Sequence, residues 1–235
     1  MDSNPRSSNE FLASLSSADF ELVRPHLRTV KLEHEVVLVA TGAMLPHVYF
    51  PHSGIISLVV RLVDGQTIES AMIGRDSVFG GSAALDGTIA LNDAIVQLPG
   101  TASVLDIAQL RKAAEQSVTF RTALIRHEQA LLAQAQQSAA CNAAHPVEAR
   151  LSRWLLRARD LSGSDSLHLT QEFLSQMLGV QRTSVTIVAG TLQQAGLIRY
   201  RRGSIQITDL IGLIDCVCEC YGTVKAHYDK LKCPH

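Results

Sequence analysis

From Val118 to Ala144 the chain contains neither glycine nor proline and is dense in alanine, glutamine and leucine. Most of these residues lose little on entering a helix, so the stretch predicts one uninterrupted helix. Its apolar side chains recur at helical spacing: Leu124, Leu131, Ala135 and Ser138 lie on one stripe, with Ile125, Leu132 and Ala139 beside it. A rod of this kind carries more apolar surface than the edge of a neighbouring domain covers, which points to a second copy packed along residues 117–145. An ordinary core helix is the simpler alternative. Pro146 ends the helix and marks a domain boundary, because the residue before a proline is pushed out of the helical region.

Upstream, the texture is that of a β-domain. After a polar segment over residues 1–10, residues 11–27 carry Leu12, Leu15, Phe20, Leu22 and Val23 and fit one or two short helices, with Ser17 or Asp19 as a candidate cap. Between residues 30 and 107, short β-branched or aromatic runs recur at 36–39, 48–50, 55–62, 67–73, 94–98 and 102–107, separated by glycine, proline and aspartate. Asp64-Gly65, set between Leu62-Val63 and Thr67-Ile68, suits a tight primed turn and is the strongest hairpin signal in the chain. Strands at this spacing predict an antiparallel sandwich or barrel.

Downstream, residues 147–208 read as three helices and a small hairpin. Residues 147–161 place Leu151, Trp154, Leu155 and Ala158 on one side, with Arg150, Arg153, Arg157 and Arg159 around the others. Thr170 is a candidate cap for a helix over Gln171–Leu178, Gly179 supplies a turn, and a second helix runs over residues 181–194. In that second helix Val185, Val188, Ala189 and Leu192 form the inward stripe, while Gln181, Arg182, Thr183, Thr186, Ile187 and Gly190 face the other way. This is the helix-turn-helix pattern. Just beyond it, Leu197-Ile198-Arg199-Tyr200 and Ser204-Ile205-Gln206-Ile207 alternate around Arg201-Arg202-Gly203, a two-stranded wing with cations at its tip. Exposed guanidinium groups suit phosphates, and a short polar helix face suits base edges.

Charge follows the same division. The net charge is -1 overall, but residues 1–144 hold 10 basic and 14 acidic side chains and residues 145–235 hold 11 and 8. A polyanion partner is therefore directed to the C-terminal third. No apolar run approaches the roughly 20 residues needed to span a bilayer, and the N-terminal residues lack a signal-peptide core; a cytoplasmic protein with no membrane partner is expected. The odd set Cys141, Cys216, Cys218, Cys220 and Cys233 is no extracellular disulfide framework. On a continuous helix Cys216 and Cys220 share a face and Cys218 does not. Although His227 or Cys233 could supplement them, the spacing fits no zinc finger, so neither a metal nor any other cofactor is assigned; small buried side chains are the expected reading, with redox sensing an alternative. Gly80-Gly81-Ser82 is not a nucleophile elbow, no phosphate-binding loop or dinucleotide fingerprint occurs, and no enzyme is expected.

Several segments resemble the Crp/Fnr family of bacterial transcription regulators: His47-Val48-Tyr49-Phe50-Pro51 with Ser53-Gly54, Thr170-Gln171-Glu172-Phe173-Leu174 with Gln176-Met177-Leu178-Gly179-Val180, and Ala195-Gly196-Leu197-Ile198. The resemblance spans residues 11–221 and implies an α+β protein. Its parts are an N-terminal cyclic-nucleotide-binding-like β jelly-roll over 11–116, a dimerisation helix over 117–145, a winged helix-turn-helix over 146–221 and a C-terminal tail over 222–235. It implies a homodimer on a palindromic stretch of double-stranded DNA, with RNA polymerase a further partner if the protein activates. Arg182 falls where the family places a guanine-reading arginine; Thr183 and Ile187 replace the glutamate and second arginine of well-studied members, so a different half-site is expected, with Ile187 against a thymine methyl. Ser184 and Thr170 match phosphate-contacting hydroxyls. The base-reading set is thus Arg182, Thr183, Thr186 and Ile187, and the phosphate set Thr170, Gln181, Ser184, Arg199, Arg201 and Arg202. The candidate effector pocket comprises Phe79, Gly80, Gly81, Asn92 and Asp93. It lacks the family's ribose-binding glutamate and phosphate-binding arginine, and Asp93 would repel a phosphate, so cyclic AMP is not the expected effector. The alternative function is a ligand-sensing or protein-interaction module of the same fold with little DNA affinity.

Overall fold

A computed structural model describes residues 5–232. Three short helices, α1 (Pro5–Ser8), α2 (Glu10–Ser14) and α3 (Ser17–Val23), open the chain. The cap of α3 is Ser16, whose hydroxyl accepts the Asp19 N–H. Ser17 lies inside the helix, and the Asp19 carboxylate turns inward to accept from Ser117 and Thr119 instead.

Seven strands follow: β1 (Arg28–Leu32), β2 (Val37–Val39), β3 (His47–Pro51), β4 (Ile55–Arg61), β5 (Thr67–Ile73), β6 (Asp93–Leu98) and β7 (Gly100–Asp106). They form two antiparallel sheets, β1-β7-β3 and β2-β6-β4-β5. Sequence pattern alone does not show β1, because its residues alternate weakly and its pairing with β7 is remote. The β4–β5 hairpin forms, but its last pair is Arg61 with Thr67, so the turn is a loop over 62–66 rather than a two-residue primed turn. Gly65 there takes φ +87°, and Asp64 accepts the Gln66 N–H.

Two helices lead out of the β-domain, α4 (Ile107–Gln116) and the long α5 (Val118–Ala144), the latter capped by the Ser117 hydroxyl. Phe120, Leu124, His127, Ala130, Gln134, Ser138 and Cys141 bury one face of α5. Its other face leaves Val118, Ile125 and Leu132 exposed.

The C-terminal domain contains α6 (Val147–Ser162), β8 (Ser166–His168), α7 (Gln171–Leu178), α8 (Arg182–Gln194), β9 (Ile198–Arg201), β10 (Ser204–Ile207) and α9 (Leu210–Asp215). Strand β8 joins the wing as the outer strand of a β8-β10-β9 sheet. Residues 222–230 are not a tail: they belong to α10 (Cys220–Lys232), which packs along α5, where Val224 and Tyr228 meet Ala130 and the Tyr228 hydroxyl accepts from Gln134. Among the described residues, no helix is long and apolar enough to cross a membrane.

One core cluster runs across the two domains. Ile55, Val59, Met72 and Leu98 of the β-domain pack with Leu151, Trp154, Leu155, Leu174, Met177 and Leu178. Polar groups seal the same seam. The Trp154 indole N–H donates to Glu69 at 2.8 Å, and Arg157 pairs with Asp76 at 2.7 Å while stacking over Tyr228. Arg150 donates to the Leu178 carbonyl and, through Nε, to Asn142. The amphipathic pattern places these arginines toward solvent. Arg150 and Arg157 are instead buried, because the β-domain and the helix-turn-helix supply the partners.

Candidate nucleic-acid interface

The outward face of α8 is built from its inward one. Val185, Ala189 and Leu192 anchor the helix in the core, so residues a half-turn away must point out. Arg182, Thr183, Thr186 and Ile187 are exposed, Ile187 by 69%. Gly190 adds an open patch on the same helix, since a Cβ there would meet nothing within 4 Å.

Helix α7 sets the angle of α8. The Thr170 hydroxyl accepts the Phe173 N–H at 3.1 Å and starts α7. Gly179 ends it at φ +61°, a left-handed conformation that glycine adopts without steric cost. A Cβ on Gly179 would also press on Ile68 of β5 at 3.1 Å, so the turn is seated against the β-domain hairpin. Gln181 is the N-cap of α8 by backbone geometry, but its side chain makes no capping bond. The first N–H groups of α8 therefore lack a side-chain acceptor, which is the arrangement that receives anions.

The wing stands next to this helix. Gln193 of α8 accepts the Tyr200 N–H at 2.7 Å and pins β9 to the helix end. Ile198, Ile205 and Ile207 turn inward, and Arg199 and Arg201 turn out. The turn at Arg202 and Gly203 has φ of +48° and +75°, which projects Arg202 at the tip. The Gly203 carbonyl accepts the Leu169 N–H, bringing the wing tip beside Thr170. Among the described residues, Arg182, Arg199, Arg201 and Arg202 have no ion-pair partner. Ser184 is half-buried, and the Thr186 hydroxyl already bonds to Gln171 and to the Arg182 carbonyl, which leaves chiefly its methyl group for an outside partner.

A second candidate site is a cavity of about 340 Å³ between the β-sheets and α5. Phe79, Gly80 and Asn92 line it, as the sequence places them, together with Leu58, Glu128 and Leu131. Gly81 and Asp93 do not. Gly81 packs under Leu124 and Glu128, and the Asp93 carboxylate turns away to accept from Thr41 and Arg61. Those bonds, first the Thr41 backbone N–H and then Arg61, hold the Asp93 carboxyl below the usual carboxylate range. Among the described residues that line the cavity there is no lysine or arginine, and Glu128 contributes an acid.

Sequence reasoning missed one constellation. Cys218 and Cys220 meet Cys141 and His145, while Cys216 lies outside the group. The expectation that Cys216 and Cys220 share a helical face fails because residues 216–219 form a turn between α9 and α10. The available signal was the spacing of Cys141 and His145, four apart across the end of α5.

Residues 149–216 match the profile of the Crp-like helix-turn-helix domain, and residues 29–117 match that of the cyclic nucleotide-binding domain. Similar solved structures include FixK2 from Bradyrhizobium japonicum, with 17% identity, a TM-score of 0.70 and coverage of 82% of this chain and 98% of that one. The c-di-GMP responsive global regulator CLP of Xanthomonas campestris is 15% identical, with a TM-score of 0.65 and coverage of 82% and 99%. A transcriptional regulator of the CRP/FNR family from Thermus thermophilus is 24% identical, with a TM-score of 0.63 and coverage of 80% and 97%. No curated protein matches the chain by sequence. At these identities the structural likenesses establish the fold, and the two domain profiles in this order establish the kind of protein.

Proposed function

Because this chain belongs to the Crp/Fnr family and is a DNA-binding transcription regulator, we propose that it acts as a homodimer on a palindromic operator and does not respond to cyclic AMP. Arg182 reads a guanine through O6 and N7, Ile187 packs on a thymine methyl, and Thr183 and the Thr186 methyl complete the base-reading face. Thr170, Gln181, Ser184, Arg199, Arg201 and Arg202 hold phosphates and set the register. The observation that carries this reading is the set of four arginines without ion-pair partners among the described residues, spread over α8 and its wing. A side chain with no role in the fold is free for a ligand.

The homodimer reading is supported by the exposed face of α5. Val118, Ile125, Leu132 and Ala139 repeat every seventh residue, the spacing of a helix pair, and Leu132 is 60% exposed in the single chain. The expected division of labour is a sensing unit over 11–116, a pairing helix over 117–145 and a DNA-binding unit from 146, to which α10 adds a brace along α5.

The cavity supports the cyclic AMP reading. A buried phosphate needs a cation or a dense set of donors, and the lining offers an acid, Glu128, with Ser70, Ser82 and Asn92 as its neutral polar side chains among mostly apolar groups. Calorimetry with cyclic AMP is expected to show no binding at micromolar ligand.

Selection of bound fragments from random DNA tests the main reading. It should return an inverted repeat with half-site centres about 34 Å apart, one turn of B-form DNA. Failure to retain any duplex at low salt would favour the ligand-sensing module with little DNA affinity.

A further inference from the structure

Four side chains with no part in DNA binding meet at the junction of the pairing helix and the DNA-binding domain. Cys141 and His145 come from the last turn and cap of α5. Cys218 comes from the turn before α10, and Cys220 is the first residue of α10. One ligand atom from each of the four lies within 4.8 Å of every other. The Cys141 and Cys218 sulfurs are 3.6 Å apart, as are the Cys220 sulfur and His145 Nδ1.

We propose that Cys141, His145, Cys218 and Cys220 bind a single thiophilic divalent ion of the zinc class in a tetrahedral site that ties the end of α5 to the start of α10. A tetrahedron with metal–sulfur bonds of about 2.3 Å has edges of about 3.8 Å, so the observed spacings need little adjustment. An iron–sulfur cluster spreads its thiolates over several irons and needs them further apart. Three sulfurs and an imidazole exclude calcium and magnesium, which take oxygen ligands.

The surroundings fit the same ion. His145 directs Nδ1 into the group and Nε2 toward the Glu219 carboxylate, 3.3 Å away, the outer partner that fixes a metal-bound imidazole in one tautomer. Gln137 donates an N–H to the Cys220 sulfur at 3.0 Å, a bond that stabilises a thiolate. Arg150 and Arg153 stand close enough to Cys141 to offset the negative charge that three thiolates and one divalent ion leave. Any S–H proton on a ligating cysteine passes to solvent as its metal–sulfur bond forms. The site spans Pro146, the link between the pairing helix and the DNA-binding domain, so an ion there would hold the two in one relation.

The test uses the full-length reduced protein. Metal analysis after growth with zinc should give one equivalent per chain, and cobalt(II) added to the stripped protein should give visible bands of a tetrahedral thiolate site. Cys141→Ser, Cys218→Ser and Cys220→Ser should abolish those bands, while Cys216→Ser, which removes a neighbour outside the group, should keep them. Glu219→Gln should weaken binding by about 10- to 100-fold without changing the spectrum. For variants that do not fold, the wild-type protein supplies the readout: cobalt(II) titrated into the stripped protein should saturate its thiolate bands at one equivalent per chain. Absence of cobalt bands, loss of them in Cys216→Ser, or a Cys141–Cys218 disulfide that gains no metal after reduction would each overturn the site.

Discussion

In the β-domain, Arg28 pairs with Asp106, Arg61 with Asp93, Arg75 with Glu10 and Arg111 with Asp86. On the recognition helix and wing, Arg182, Arg199, Arg201 and Arg202 have no such partner among the described residues. The two regions hold similar cations for different ends. In the β-domain these arginines are paired at the surface, and none of them lines the cavity, which has no lysine or arginine to hold a phosphate. In the winged helix the fold rests on apolar contacts, and the cations remain free for a polyanion. Net charge alone separates the two regions weakly, and the pairing of these particular arginines adds to the contrast, although Lys31 of β1 is unpaired among the described residues and Arg157 and Arg159 of the C-terminal domain are paired.

The largest expected effect breaks the comparison at the seam, where a C-terminal arginine is paired. Asp76→Ala leaves Arg157 buried without its counter-charge and should cost about 3–5 kcal/mol in denaturant unfolding. Arg201→Ala, on an exposed and unpaired residue, should change stability by no more than about 0.5 kcal/mol. Equal losses from both would mean that the distinction is wrong.

The next effect concerns Glu69, the other polar group in that seam. Burial raises its carboxyl to about 7, against hydrogen bonds from Ser57 and Trp154 and the nearby Arg153 and Arg157. Between its ordinary value near 4.5 and about 7, the folded chain holds a proton that the unfolded chain has released. Stability should therefore fall as pH rises through that window and level off above it. Glu69→Gln keeps partners for Ser57 and Trp154 and should flatten this slope, gaining stability most above pH 7. A slope unchanged in the variant would place the titration elsewhere.

Arg182→Ala should weaken operator binding by about 1–3 kcal/mol and relax preference at one base pair, leaving folding untouched. Smallest is the wing. Arg201→Ala and Arg202→Ala should each weaken binding to all sequences alike and reduce the slope of log affinity against log salt by about 1. A sequence-specific loss from either would move the wing from phosphate to base contact.

Much of this was legible without coordinates where the signal is local. Thr170, Gly179 and the Val185, Ala189, Leu192 stripe specify α7, the turn and α8 through capping, a left-handed residue and periodicity, all decided within a few residues. Arg201-Arg202-Gly203 likewise specifies a wing turn. The pocket was legible in part: Phe79, Gly80 and Asn92 line it, but Asp93 turns away because Thr41 and Arg61, remote in sequence, claim its carboxylate. Residues 222–230 gave little local sign of docking, since most of what holds α10 lies on α5, as at Ala130 and Gln134.

By itself, then, the order of residues determined α5, α7, α8 and the wing turn, the outward face of α8 and the surplus of cations near its end, because helix period, caps and turns act over one or two turns of chain. Tertiary structure decided which charges are neutralised and which ligating atoms converge. Arg157 finds Asp76, Trp154 finds Glu69, and Cys141 with His145 find Cys218 with Cys220 across some 75 residues. Such meetings depend on how domains pack, and no short window of sequence contains both partners.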